Sequence, residues 1–298
     1  MPRGQGQVNT WVQPANFKGG FFIFMKNAIL ITVSILAFLS NAEAASRYIS
    51  LAPSTTEILF ALGLDEEIVG VSSYCNYPRA AQTKPKVGDF SSPNIEKILS
   101  LKPDYIFCTG LEQAKTVYEL NRLKLNVYVA DPSNMKELFR TISEIGRLTA
   151  RGKEAGRLIN KMRDDITAIS EKVKFIPQQK KVRVFIEIWH DPLMTAGKGS
   201  FVDELITLAG GINVAQDAIR PYSDFSAEKV IDLNPQVIIL AYMDKEPPLK
   251  LLEGRFGWAN IEAVKNKRAF NDIHPDTLLR PGPRITEGLK GLYKKLYP

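Results

Sequence analysis

Glu96-Lys97-Ile98-Leu99-Ser100-Leu101-Lys102-Pro103-Asp104-Tyr105-Ile106-Phe107 and Glu228-Lys229-Val230-Ile231-Asp232-Leu233-Asn234-Pro235-Gln236-Val237-Ile238-Ile239 are two versions of one unit, 132 residues apart. Five of the twelve positions are identical, and most others keep their apolar character. In each version an acid sits in the first turn of a helical pattern. A proline then ends that pattern just before an apolar run, because proline lacks the N–H a helix needs and clashes with the preceding turn. Twelve ungapped positions with the same acid in front predict a pseudo-repeat, and therefore two similar halves.

The flanks of the first unit alternate between strand and helix. Residues 47–51, 68–72, 105–108 and 126–130 read as strands. Residues 58–62, 95–101 and 116–124 read as helices. Ser54 with Glu57 three positions later predicts a capping box, and Gly63 the matching stop. Strands that are apolar throughout, separated by helices, predict a parallel sheet covered on both faces. From 134 to 174 the pattern is helical only: Leu138, Ile142, Ile145 and Leu148, then Leu158, Ile159, Met162, Ile166 and Ile169. That spacing predicts two helices, the second long. A polar break at 177–181 follows, and the alternation restarts with strands at 182–189, 237–242 and 269–273 and helices at 200–208, 227–233 and 285–296.

The fold expected is α/β: two Rossmann-like lobes with parallel sheets, joined by one long helix, with the ligand cleft between them at the carboxyl ends of the strands. The expected divisions are a leader and signal peptide at 1–44, an N-terminal lobe at 45–133, a helical connector at 134–175 and a C-terminal lobe at 176–298.

Residues 1–44 read as an address. Met25-Lys26-Asn27 precedes an apolar run at 28–39, and Ala42-Glu43-Ala44 supplies the small residues a signal peptidase accepts. Cleavage is expected after Ala44, leaving a periplasmic protein. The run is too short to span a bilayer, which takes about 20 residues. Met25 reads as a natural start, which would leave 1–24 outside the native chain. No cysteine lies near the cleavage site to carry a lipid anchor.

Composition narrows the function. The 298 residues are 45% hydrophobic and 24% charged, with net charge +7, so the chain is globular. Its Lys and Arg are scattered without interleaved aromatics, which disfavours nucleic acid. Two histidines cannot build a three-histidine metal site, and two cysteines, Cys75 and Cys108, form at most one bridge. Either a bridge between them or free thiols in loops fits the sequence. No Walker loop, G-x-G-x-x-G, G-x-S-x-G or H-E-x-x-H is present, which counts against nucleotide-dependent enzymes and leaves an exported hydrolase without a nucleophile and base. The expectation is a non-enzyme without a cofactor.

Six stretches carry a family resemblance: YISLAPSTTEILFALG (48–63), IVGVSSYCNYP (68–78), VGDFSSPNIEKILSLKPDYIF (87–107), VRVFIEIWHDPLMTAGKGSFVDELITLAGG (182–211), FSAEKVIDLNPQVII (225–239) and LLRPGPRI (278–285). The chain resembles the helical-backbone periplasmic substrate-binding proteins of ABC importers, which serve cobalamin, haem and iron-siderophores, and within them the cobalamin-binding members. The resemblance implies a monomer with two rigid lobes, a spanning helix and modest closure. It also implies one surface glutamate per lobe, Glu96 and Glu228, docking on the permease dimer in the inner membrane. An acid at a helix N-terminus is also what the helix dipole favours, so capping is the alternative role.

For the ligand, Tyr74, Phe90 and Asp276 match positions that contact the corrinoid in those relatives. Tyr222 stands where a tryptophan is expected, and the tryptophan expected near Cys108 is absent. Trp189 and His190 sit at a strand tip and join the candidate set. His190 is either an axial ligand for cobalt or haem iron, or an imidazole beside Asp191. Arg220, Arg280 and Arg284 suit the carboxylate or catecholate of a ferric siderophore, although Arg284 after Pro283 also reads as a residue that holds the last loop. The expected ligand is cobalamin or another corrinoid, with haem or a ferric siderophore as the alternative.

Overall fold

The computed structural model describes residues 46–242 and 246–298, so the expected leader and signal peptide lie outside the described residues. The N-terminal half carries strands β1 (Tyr48–Ser50), β2 (Ile68–Val71), β3 (Tyr105–Cys108) and β4 (Val127–Val129), in the order β2-β1-β3-β4 and all parallel. Its helices are α1 (Pro53–Ala61), α2 (Arg79–Thr83), α3 (Ile95–Ser100) and α4 (Ala114–Arg122). Two helices without an intervening strand follow, α5 (Met135–Leu148) and α6 (Gly152–Val173). At 22 residues α6 is about 33 Å long.

The C-terminal half has strands β5 (Arg183–His190), β6 (Leu193–Ala196), β7 (Ile212–Asn213), β8 (Tyr222–Asp224), β9 (Val237–Leu240) and β10 (Ala269–Phe270). The sheet order is β10-β9-β5-β6-β8, with β7 also on β5. Strands β10, β9, β5 and β7 pair in parallel, as expected. The hairpin partner β6, and β8 beyond it, add antiparallel pairs that the alternation pattern did not announce. The helices are α7 (Phe201–Leu208), α8 (Ala227–Leu233), α9 (Pro248–Glu253), α10 (Glu262–Lys265), α11 (Pro275–Leu279) and α12 (Ile285–Leu296).

The pseudo-repeat is structural. Strands β3 and β9 occupy equivalent positions, and α3 and α8 precede them. Asn94 and Ser226, again 132 apart, are both N-caps, accepting from the backbone N–H of Lys97 and Lys229. Ile98 and Val230 are both fully buried, as are Ile106 and Ile238. Lys102 (φ 47°) and Asn234 (φ 45°) are both left-handed, turning the chain between helix and proline.

Residues 46–298 form one compact unit. One hydrophobic core runs through it, from Tyr48, Leu59 and Phe107 past Ile142 and Ile159 of the connecting helices to Val184, Ile239 and Leu289. Smaller cores lie around Ile98, Ile106 and Leu120 in the first half and around Phe185 and Trp258 in the second.

Two expectations are corrected. The Ser54–Glu57 capping box does not form. Pro53 takes the first helical position, which places Ser54 inside α1 and makes Ala52 the N-cap, with no side-chain cap. Glu57 turns inward and is only 4% exposed. The two thiols do not bridge, and of the pair only Cys75 is a loop residue, since Cys108 ends β3. Cys75 and Cys108 are both free and buried, in different cores, and burial pushes the Cys108 thiol up to about 12.

Candidate ligand cleft

A cavity of about 800 Å³ opens between the two halves. Its first wall is made where strands of the N-terminal sheet end. Ala52, Pro53 and Ser54 follow β1, Tyr74 follows β2, Thr109 follows β3, and Ala130 to Ser133 follow β4, with Phe90 and Ser91 between. The second wall is Gly199, Ser200 and Phe201 at the start of α7, Pro221 and Tyr222 at the start of β8, and Leu279 at the end of α11 with Arg280 and Pro281 after it.

The first wall is braced from below by a residue that sequence reading missed. Gln113, 1% exposed, donates from Nε2 to the carbonyls of Leu51 (3.0 Å) and Phe90 (2.7 Å) and accepts at Oε1 from the Thr109 N–H (2.9 Å). One amide therefore ties three cleft loops together. A buried hydroxyl network does the same under Tyr74. Thr56 Oγ1 donates to Ser50 Oγ (2.8 Å) and lies 3.0 Å from Cys75 Sγ, and Ser72 Oγ is 3.2 Å from the same sulfur. Tyr74 itself, next to this anchor, is 60% exposed.

On the second wall, Ser200 N-caps α7 by accepting from Asp203 N–H. Tyr222 is 41% exposed as a residue, while its hydroxyl is sunk beside Ser200 and the N–H groups of Phe201 and Val202, and this burial pushes the phenol up. Three charged side chains line the cavity: Glu112 and Asp131 on the first wall and Arg280 on the second. Arg280 is already held, donating to Asn76 Oδ1 (2.7 Å) and pairing with Asp276 Oδ2 (2.9 Å).

The structure thus brings Tyr74, Phe90 and Tyr222 together on one cavity and places Asp276 just behind it, on Arg280. Trp189, His190 and Arg220 are exposed and do not line this cavity. Trp189 and His190 instead form a ring cluster with Tyr242, at centroid separations of 5.0, 5.5 and 6.1 Å. Beneath it Glu187, fully buried within β5, accepts from Tyr242 Oη (2.6 Å) and from both terminal nitrogens of Arg255 (2.6 and 2.7 Å). Burial, with the Glu187 carboxylate as acceptor, pushes the Tyr242 phenol up. Arg284 does hold the last loop: it makes a two-pronged contact with Glu57 that raises its own pKa. Among the described residues no group of three or more His, Cys, Asp or Glu is placed to hold a metal ion, and no helix is long and apolar enough to cross a membrane.

The sequence profile of the periplasmic binding protein family matches residues 49–273, most of both halves. The chain belongs to that family. Among curated proteins it is 34% identical over 257 residues to the uncharacterized ABC transporter substrate-binding lipoprotein YvrC of Bacillus subtilis, covering 85% of this chain and 80% of that one. Three solved structures share the fold. A possible iron-binding periplasmic solute-binding protein of Staphylococcus epidermidis matches at TM-score 0.74 and 32% identity, over 85% of this chain and 98% of that one. The periplasmic vitamin B12 binding protein of Vibrio cholerae matches at 0.72 and 28%, over 85% and 96%. The periplasmic heme-binding protein RhuT of Roseiflexus sp. RS-1 matches at 0.75 and 27%, over 85% and 98%. This periplasmic binding protein is thus a substrate-binding component of an ABC transporter, and its relatives carry solutes rather than transform them.

Proposed function

We propose that this protein captures cobalamin or a related corrinoid in the cleft and delivers it to an ABC importer permease. The observation that carries the reading is the lining of the cavity: Tyr74 and Phe90 face Phe201 and Tyr222 across about 800 Å³, with few charges. Aromatic faces from both halves supply contact area to a large flat ring system, and a small number of polar groups fix its orientation. The likeness to the vitamin B12 binding protein of Vibrio cholerae supports the same ligand. A second reading, haem or a ferric siderophore, is favoured by one residue, the guanidinium of Arg280 in the lining, and by the iron- and heme-binding relatives.

Titration calorimetry of the protein residues 45–298 against cyanocobalamin, haemin and a ferric siderophore separates the two. A stoichiometric heat with cyanocobalamin, weakened by Tyr74→Ala and Phe90→Ala, is expected. Binding of haemin or the siderophore alone transfers the assignment.

The lobes proposed to hold the ligand are 45–133 and 176–298, with 134–175 as the connector, and the exported chain is proposed to begin at Ala45. Mass spectrometry of the secreted protein tests that start. Glu96 and Glu228 are the proposed permease contacts. Both are exposed in the first turns of the repeat-related α3 and α8. Glu228 accepts from Ser226 Oγ (2.6 Å), which holds its carboxyl below the ordinary range and keeps it ionised. Matched charges of this kind steer encounter and fix register. Glu96→Ala with Glu228→Ala is expected to leave ligand binding intact and abolish stimulated transport in vesicles. Undiminished transport removes the docking role.

A further inference from the structure

The two halves meet beside the cleft at a partly buried ionic seam centred on Glu57. Glu57 on α1 accepts from Arg284 Nε (2.9 Å) and Nη2 (2.5 Å), and the Arg284 guanidinium lies 3.8 Å from the centre of the Tyr77 ring. Arg280 Nη1 reaches Asn76 Oδ1 (2.7 Å), Asp276 Oδ2 (2.9 Å) and Glu57 Oε1 (3.7 Å). Glu57, Asn76 and Tyr77 belong to the N-terminal half, whereas Asp276, Arg280 and Arg284 belong to the C-terminal half. Two carboxylates balance two guanidiniums. Gly282, between the arginines, lies against α1: a Cβ there would meet the Ser54 carbonyl and Glu57 Oε2 at 3.6 Å, in ordinary van der Waals contact. A second tie joins the C-terminal half to the connecting helices. Glu204 of α7 accepts from the N–H of Met135, the first residue of α5 (2.8 Å).

These ties bracket the cavity. Ser133 and Phe201 line it next to the Glu204 tie, and Ser54 and Arg280 line it next to the seam. We propose that the Glu57–Arg284–Arg280 seam is a clasp that fixes the width of the cleft, with Glu57 and Arg284 as positioning residues for the ligand. A two-pronged ion pair on a buried carboxylate holds one geometry: stretching it leaves the Glu57 charge unpaired away from water, so it resists graded opening in a way that apolar contact does not. With the seam released, the apolar core around the connecting helices and the Glu204 tie would still join the halves, but the cleft edge beside α1 would sample a wider range of separations.

The test measures that range directly. Nitroxides are placed on Ser100→Cys and Asp232→Cys, exposed and repeat-related sites on opposite halves. Cys75 and Cys108, at 1% and 0% exposure, stay unlabelled. Dipolar spectroscopy of the ligand-free protein is expected to give one narrow distance and a broadened or shifted distribution in Glu57→Gln. An unchanged distribution in folded Glu57→Gln overturns the clasp. Should that variant not fold, Arg284→Lys keeps the charge and loses the fork, and its unchanged distribution overturns the clasp equally. A second arm, which alone rests on the corrinoid reading, follows cyanocobalamin dissociation by stopped flow. A several-fold faster release from Glu57→Gln is expected, and an equal rate overturns the positioning role. Absence of binding by the parent protein removes the corrinoid reading and leaves the distance measurement to decide the clasp.

Discussion

The two halves share a repeated unit but meet the cleft differently. In the N-terminal half the chain leaving each of the four strands reaches the cavity, through Ala52, Tyr74, Thr109 and Ala130. In the C-terminal half the ends of β5 and β9 carry the Trp189–His190–Tyr242 rings over the Glu187–Arg255 pair, and the cavity wall comes from the start of α7, the start of β8 and the turn after α11. The difference follows from what comes after the first strand of each sheet. Strand β1 runs straight into α1, whereas β5 turns back into β6. The repeat fixes how a helix delivers a buried strand, and leaves each half to build its own ligand face.

Removing what is peculiar to the second half should have the largest effect. Glu187→Ala leaves Arg255 and the Tyr242 hydroxyl without their shared partner and is expected to lose about 3–5 kcal/mol in urea unfolding. Next come the shared core positions. Ile98→Ala is expected to lose about 2–5 kcal/mol, and Val230→Ala less by about 0.8 kcal/mol, the worth of one methylene, if the two sites are equally packed. A larger gap in paired denaturation curves would mean that the halves differ in rigidity as well as in wall construction.

The left-handed turns should respond in opposite directions. Lys102→Gly relieves a strained backbone and is expected to gain about 1 kcal/mol. Asn234→Lys introduces that strain and loses the 2.7 Å contact from Glu262 N–H to Asn234 Oδ1, so its melting temperature should fall. A further effect appears only in alkali. Cys108 keeps its proton to about 12 when folded but only to about 9 when unfolded. The unfolded state therefore sheds its proton first, and stability should decline as pH rises above 9. Tyr242, also pushed up, adds to this decline above its ordinary range. Unfolding titrations should show a shallower slope in Cys108→Ala, with the Tyr242 contribution remaining.

Much of this frame is legible in the chain because it is local. The prolines at 103 and 235, the apolar runs after them and the 3.6-residue periodicity of α5 and α6 are short-range signals, and they placed the helix–strand units around 95–108 and 227–240 to within a residue or two, while α1 starts five residues before the periodic run at 58–62. What escaped depends on partners far along the chain. Glu57 reads as half of a capping box until Pro53 claims the first turn and Arg284, 227 residues later, supplies a counter-charge. Gln113 carries no pattern at all; its role exists only because three loops converge on it. The β5–β6 hairpin lacks a two-residue Asn-Gly type signal, since Asp191-Pro192 is not a favoured hairpin pair. Tyr74, Phe90 and Tyr222 came from resemblance, and the fold gathers them on one cavity. Trp189 and His190 came from their place at a strand tip, where the hairpin carries them to a separate cluster.

The apolar core that passes from Tyr48 and Phe107 through the paired helices to Val184, Ile239 and Leu289 belongs to neither half. A ribosome that has released only the first sheet has made one side of a bond whose other side is still unsynthesised. Either fragment expressed alone would present that open face to solvent and aggregate, so the chain has to be finished before it can be whole.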